Sequence, residues 1–159
     1  MSDRIAVMSK GVVLQIGRPQ EIYERPASKY VADFIGETNF IDGVVKSQNG
    51  ETVEVDLGGT GVVCVESSRV FTNGQQVTVA VRPEKLRLNT EIAAGNNLRG
   101  RVEDVIYIGT DTHYGVRFVG GQKVRVREQN VLQGHHEIVQ IGDEASVSFT
   151  RVSPRILTE

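Results

Sequence analysis

Gly74-Gln75-Gln76-Val77-Thr78-Val79-Ala80-Val81-Arg82-Pro83-Glu84-Lys85-Leu86 is the stretch that decides the fold. A glycine turn leads into apolar residues at 77, 79 and 81, the period-two pattern of a strand with one buried face. Pro83 removes a ladder donor and ends that strand. The same device recurs at Gly142-Asp143-Glu144-Ala145-Ser146-Val147-Ser148-Phe149, and Gly43-Val44-Val45 has a counterpart in Gly100-Arg101-Val102. Two similar halves are therefore expected, each closing on a glycine followed by an alternating strand. Roughly 50 residues per half is marginal for a private core, so the halves are expected to complete each other.

Working outward, β-rich runs are expected at 41–46, 52–57, 61–66 and 76–82, separated by the turn pairs Asn49-Gly50, Gly58-Gly59 and Asn73-Gly74. A second series follows at 98–108, 112–119, 122–128 and 144–152, punctuated by Gly109, Gly120-Gly121 and Gly142. Many short strands with little helix predict a mainly β sandwich or barrel. Composition agrees: 159 residues with 39% apolar and 24% charged content are ordinary for a globular chain. No apolar run approaches the roughly 20 residues of a membrane-spanning helix. The net charge of −2 argues against a strongly electrostatic nucleic-acid partner. The single Cys64, within Val62-Val63-Cys64-Val65, reads as a small buried hydrophobe and fits a reducing compartment.

Residues 1–40 have a different character. Arg4 to Met8 and Val12 to Ile16 flank Ser9-Lys10-Gly11 and predict a hairpin. Pro19 suits the first position of a short helix that must stop by Pro26. Ser28 is the expected N-cap of a second helix, closed by Gly36, with Tyr30 and Phe34, and Val31 and Ile35, four apart on one apolar face. A lone hairpin is marginal in water. Ile5, Val7, Val13, Leu14 and the Tyr30/Phe34 face are therefore expected to pack on the β domain or on a second copy of the chain, or else the first turns are expected to be poorly ordered.

The succession Asp3-Arg4-Ile5-Ala6-Val7-Met8, Gly11, Gln15-Ile16-Gly17, Pro19-Gln20-Glu21-Ile22-Tyr23, Pro26, Val31-Ala32-Asp33-Phe34-Ile35-Gly36 and Asn39 resembles the C-terminal end of the ATPase subunit of ABC importers, in the branch serving spermidine/putrescine, iron(III) and sugars. In that family this segment follows the switch histidine and leads into a transport-associated OB-type domain. The resemblance implies residues 1–38 as the end of a nucleotide-binding domain. It implies 39–159 as an OB-like regulatory domain in two segments, about 39–90 and 97–159. It further implies a cytoplasmic location at the inner face of the membrane, pairing as a homodimer, permease subunits as partners of the parent, and polyamine as its solute. The chain would then be a piece beginning just after the last catalytic element.

ATP and magnesium belong to the parent in that reading, with no cofactor and no catalytic residue expected here. A phosphate loop needs G-x-x-x-x-G-K-[ST], and no Gly-Lys pair occurs. Gly120-Gly121-Gln122 superficially matches a signature loop, but the alternation Lys123-Val124-Arg125-Val126-Arg127 after it is strand chemistry, so a turn is expected. Two blocks typical of the family carry the candidate regulatory or ligand contacts. Arg82 and Glu84, two apart on an extended chain, predict either a structural clamp or contact with a partner subunit or effector. Thr110, Asp111, Thr112 and His113, within Tyr107-Ile108-Gly109-Thr110-Asp111-Thr112-His113-Tyr114, offer donors for a small polar ligand or oxyanion, or simply make a hairpin. A small-solute or oxyanion sensor is thus an alternative function, and a single-stranded nucleic-acid module a weaker one. The latter would use Lys123, Arg125 and Arg127, although no aromatic residue interleaves with them and a charged protective edge explains them as well. His135-His136 point to opposite faces if extended and lack further ligands, so no metal is expected.

Overall fold

In a computed structural model of the chain, residues 3–89, 95–129 and 139–158 are described. An N-terminal unit consists of a hairpin, β1 (Ile5–Ser9) and β2 (Val12–Gly17), and two short helices, α1 (Pro19–Glu24) and α2 (Lys29–Ile35). Lys10 and Gly11 take φ of 52° and 79°, the left-handed pair that a two-residue hairpin turn requires. Ser28 caps α2 by accepting the Val31 N–H at 3.3 Å, and the Gly36 N–H closes it on the Ala32 carbonyl at 3.3 Å. Val7, Ile22 and Val31 form a small core with Ile5 against it.

Part of the expected apolar face points elsewhere. Val13 is 52% exposed, Leu14 38% and Tyr30 47%. The strand's outer face is simply bare, and α2 turns Val31 and Ala32 inward, one position beyond Tyr30. The side chains of Phe34 and Ile35 lie outside the description.

Among the described residues from Asn39 onward the fold is two antiparallel five-stranded sheets. The first is ordered β12-β6-β3-β4-β5 and the second β10-β9-β8-β11-β7. Their strands are β3 (Asn39–Asn49), β4 (Thr52–Asp56), β5 (Val62–Glu66), β6 (Gln76–Val81), β7 (Arg87–Leu88), β8 (Asn96–Ile108), β9 (Asp111–Phe118), β10 (Lys123–Gln129), β11 (Glu144–Phe149) and β12 (Arg155–Leu157). The order is the same in both sheets, with β8, β9, β10 and β11 standing where β3, β4, β5 and β6 stand. The fifth place is exchanged. β7, which follows the first set, pairs with β11, and β12, which follows the second, pairs with β6. One apolar core joins Val45, Val55, Val63 and Val79 of the first half to Val102, Val116, Val126 and Phe149 of the second. The halves do complete each other, as a mainly β, OB-like fold.

The repeat extends to single atoms. β3 bulges between Val45 and Ser47, and β8 between Val102 and Asp104. The Gly74 N–H donates to Val45 O at 2.7 Å and the Gly142 N–H to Val102 O at 2.8 Å. Asn39 and Asn96 start the two long strands, and each clasps the backbone of the other half's β strand. Asn39 Nδ2 donates to Arg125 O and its Oδ1 accepts the Arg125 N–H, both at 2.8 Å. Asn96 does the same to Cys64, at 2.9 and 2.7 Å. Cys64 itself is half-buried rather than buried, because Val63 and Val65 take the inward face of β5.

Gly43 and Gly100 show why the repeat begins on glycine. A Cβ on Gly100 would lie 2.6 Å from Val116 Cγ1 and 2.7 Å from the Arg117 carbonyl, and one on Gly43 2.6 Å from Val55 Cγ1 and 2.9 Å from the Asp56 carbonyl. Because the obstruction includes backbone, Gly100→Ala is expected to cost about 2 kcal/mol through overpacking. Denaturant unfolding would measure it, and a loss below a few tenths would contradict the close approach.

Candidate functional site

Arg82 sits where the N-terminal unit meets the β domain, and it is 7% exposed. β6 ends there because Pro83 to Lys85 coil into a single 3-10 turn, so Arg82 and Glu84 do not project side by side from an extended chain. They nevertheless converge on one residue, Tyr23 of α1. One guanidinium nitrogen of Arg82 donates to Ala32 O at 3.2 Å, to Glu37 O at 3.1 Å and to the Thr38 hydroxyl. The other donates to Tyr23 O at 2.9 Å, and the guanidinium carbon stands 4.2 Å from the centre of the Tyr23 ring. The Tyr23 hydroxyl in turn donates to the Glu84 carboxylate. A single cation thereby ties the end of α1, the end of α2 and the chain entering β3 to the end of β6. The fork geometry of arginine suits several carbonyls at once.

Electrostatics follow from the burial. Desolvation lowers the Arg82 pKa, with Tyr23 and Glu84 pulling it back. Desolvation raises the Tyr23 pKa above its ordinary 10.0, and its hydrogen bond to Glu84 raises it further. The neutral phenol is therefore the folded state's form. Its contribution is present below pH 10 and is lost as pH rises through the higher folded value. Tyr23→Phe is expected to cost about 1 kcal/mol at pH 7 and to flatten the fall of stability above pH 10. Urea midpoints measured from pH 8 to 11 would check both, and an unchanged alkaline slope would contradict the phenol's role.

The second block forms the β8–β9 hairpin. Thr110 is exposed beside Gly109, His113 is half-buried, and Thr112 is buried at 2%. Asp111 is buried and its carboxylate accepts from Arg127 Nε at 2.9 Å and Nη at 2.8 Å. That pair raises the Arg127 pKa, with smaller contributions in the same direction from Glu84 and Tyr23. The three cations of β10 all have carboxylate partners. Lys123 pairs with Asp104 at 2.5 Å, Arg125 with Glu37 at 3.0 Å and Arg127 with Asp111 at 2.8 Å. Lys123 and Arg127 therefore stabilise the hairpin stack, and Arg125 contacts the N-terminal unit. Gly120-Gly121-Gln122 is the turn between β9 and β10, where Gly121 takes a φ of 96°. Gln122 reaches across to Leu57 O at 2.8 Å and to Thr60, joining it to the β4–β5 turn.

Among the described residues no group of three or more His, Cys, Asp or Glu is placed to hold a metal ion, and His135-His136 lie outside them. No helix in the described residues is long and apolar enough to cross a membrane. Tyr23, Ala32 and Thr38, which complete the Arg82 joint, were not singled out as site residues by sequence. They lie more than 40 positions from Arg82, and the only local signal was the place of Tyr23 and Ala32 in the quoted N-terminal succession.

Both halves of the β domain are OB-like, and the family model described as "TOBE domain" matches residues 79–157. That span begins within β6 and includes Arg82 but not its partners in α1 and α2. Over its whole length the chain belongs with the C-terminal part of the spermidine/putrescine import ATP-binding proteins called PotA. It is 41% identical to that protein of Pseudomonas fluorescens and 40% identical to that of Ruegeria pomeroyi, in each case over 100% of this chain and 42% of the relative. A Mesorhizobium japonicum PotA is 44% identical over 82% of this chain and 35% of the relative. The chain thus spans less than half the length of these relatives. Among solved structures, the cytoplasmic molybdate-binding protein ModG, with molybdate bound, matches with a TM-score of 0.60 at 18% identity, covering 76% of this chain and 96% of that one. At that identity the likeness shows the fold alone.

Proposed function

We propose that this chain is the non-catalytic, regulatory end of the ATP-binding subunit of an ABC importer, and that the solute imported is a polyamine of the spermidine/putrescine class. The observation that carries the regulatory part is the Arg82 joint, a buried cation that ties the helical unit to the β domain, so that a movement of one would be passed to the other. The relatives' names support the solute. ATP and magnesium would be held by other parts of the parent subunit, permease subunits would be its membrane partners at the cytoplasmic face, and a second copy would pair with it. The bare apolar face of the hairpin, where Met8, Val13 and Ile16 are 53%, 52% and 59% exposed on the side opposite the buried Val7, suits a position against a larger neighbouring surface.

Disrupting the gene and measuring uptake of radiolabelled spermidine and putrescine tests the solute. Uptake is expected to fall and to return with the wild-type gene; unchanged uptake would overturn that part. Complementation with Arg82→Ala tests the joint. ATP hydrolysis by the purified full-length protein is expected to persist while uptake falls, and wild-type uptake at equal protein level would overturn the coupling role.

A further inference from the structure

We propose that the cleft between α1 and the β6–β12 edge binds a small oxyanion of the phosphate or carboxylate class. It has a volume of about 280 Å³ and is walled by Tyr23 and Glu24 of α1, by Arg82 and Lys85 at the end of β6, and by Ser153 and Arg155 at the start of β12. Three cations and one carboxylate face a single cleft in a chain whose net charge is −2. Arg82 is committed to carbonyls, but the other two cations have donors to spare. Among the described residues the exposed Lys85 ammonium has no hydrogen bond or ion pair. Arg155 spends one terminal nitrogen on Val152 O at 2.7 Å and Pro154 O at 3.1 Å, which leaves its Nε–H and its other terminal nitrogen without acceptors among the described residues.

A half-buried guanidinium with free donors beside an ammonium favours a compact anion, because charge-assisted hydrogen bonds strengthen where water is partly excluded. The volume lies below that of sites for drug-sized ligands, which points to phosphate or a short carboxylate. The walls belong to two units, so the anion would bridge them beside Arg82 and stiffen the joint. This site is separate from the turn at 109–113, and it stands whether or not the chain serves a polyamine importer.

Calorimetry and thermal unfolding of the full chain with sodium phosphate, and separately with sodium succinate, at ionic strength held constant with sodium chloride, test the site. Saturable heat with a Kd of about 1 mM or tighter and a Tm that rises with anion concentration are expected. The stronger of the two anions identifies the source. Lys85→Gln with Arg155→Gln should weaken binding at least tenfold, and Arg155→Lys should retain part of it. Should the double variant fail to fold, Lys85→Gln alone, at an exposed residue, carries the test with a severalfold loss. No saturable heat with either anion, a Tm response matched by sodium chloride, or unchanged affinity in the variants would overturn the proposal.

Discussion

Arg82→Ala is expected to destabilise the chain by about 3 kcal/mol, because it leaves carbonyls of Tyr23, Ala32 and Glu37 without their charged donor at a buried junction. For a domain of this size that corresponds to a fall in Tm of roughly 10 °C. Water entering from the adjacent cleft will satisfy some of these groups, which is why the figure stays below that for a fully sealed buried charge. The damage should be local first. Hydrogen exchange should accelerate across α1 and α2 while β3, β8 and β9 stay protected, since the main core does not depend on the joint. Arg82→Lys keeps the charge but not the fork, and about 2 kcal/mol of the loss should remain. An Arg82→Ala chain within half a kcal/mol of wild type, with α1 and α2 equally protected, would show that the joint does not hold the two units together.

The second large effect concerns the reciprocal clasps. Asn39→Ala and Asn96→Ala each strip a donor and an acceptor from strand backbone, and each should cost about 2 kcal/mol. They share no partner, so the double variant is expected to lose about 4 kcal/mol, the sum of the two. Asn96→Asp is the sharper probe, since it keeps an acceptor for the Cys64 N–H but withdraws the donor that the Cys64 carbonyl uses. Denaturant unfolding of the four proteins would give the cycle. Single losses below half a kcal/mol would mean that core packing alone holds the halves together.

What could be read in advance follows the range of the interactions. Glycine turns and alternation are local, so strands were legible at β4, β5, β6, β9, β10 and β11, and the hairpin and both helices at the N-terminus. β7 and β12 were not foreseen. Two or three residues carry no period, and their places are set by partners about 60 and 75 positions away. The long strands β3 and β8 begin earlier than expected because Asn39 and Asn96 are polar residues held by distant backbone, which no pattern of apolar residues marks. The repeat was visible through Gly43 and Gly100, whose close approaches explain that signal. At the candidate site, Arg82 and Glu84 stood out as a block, yet their common partner Tyr23 could come only from the folded chain. Asp111 also stood out, and its carboxylate is taken up by Arg127.

The exchanged end strands bear on the order in which the chain can fold as it leaves the ribosome. β6 is made early, but one of its edges stays open until Arg155, Ile156 and Leu157 emerge to form β12. β7 likewise waits for β11, more than 50 residues later. Neither half can finish before the other, so folding is delayed until synthesis of the β domain is essentially complete, and the many non-local pairings make it slow. A nascent chain stalled near residue 150 would display a paired sheet with one raw edge, the kind of surface that chaperones hold and that otherwise recruits a neighbour.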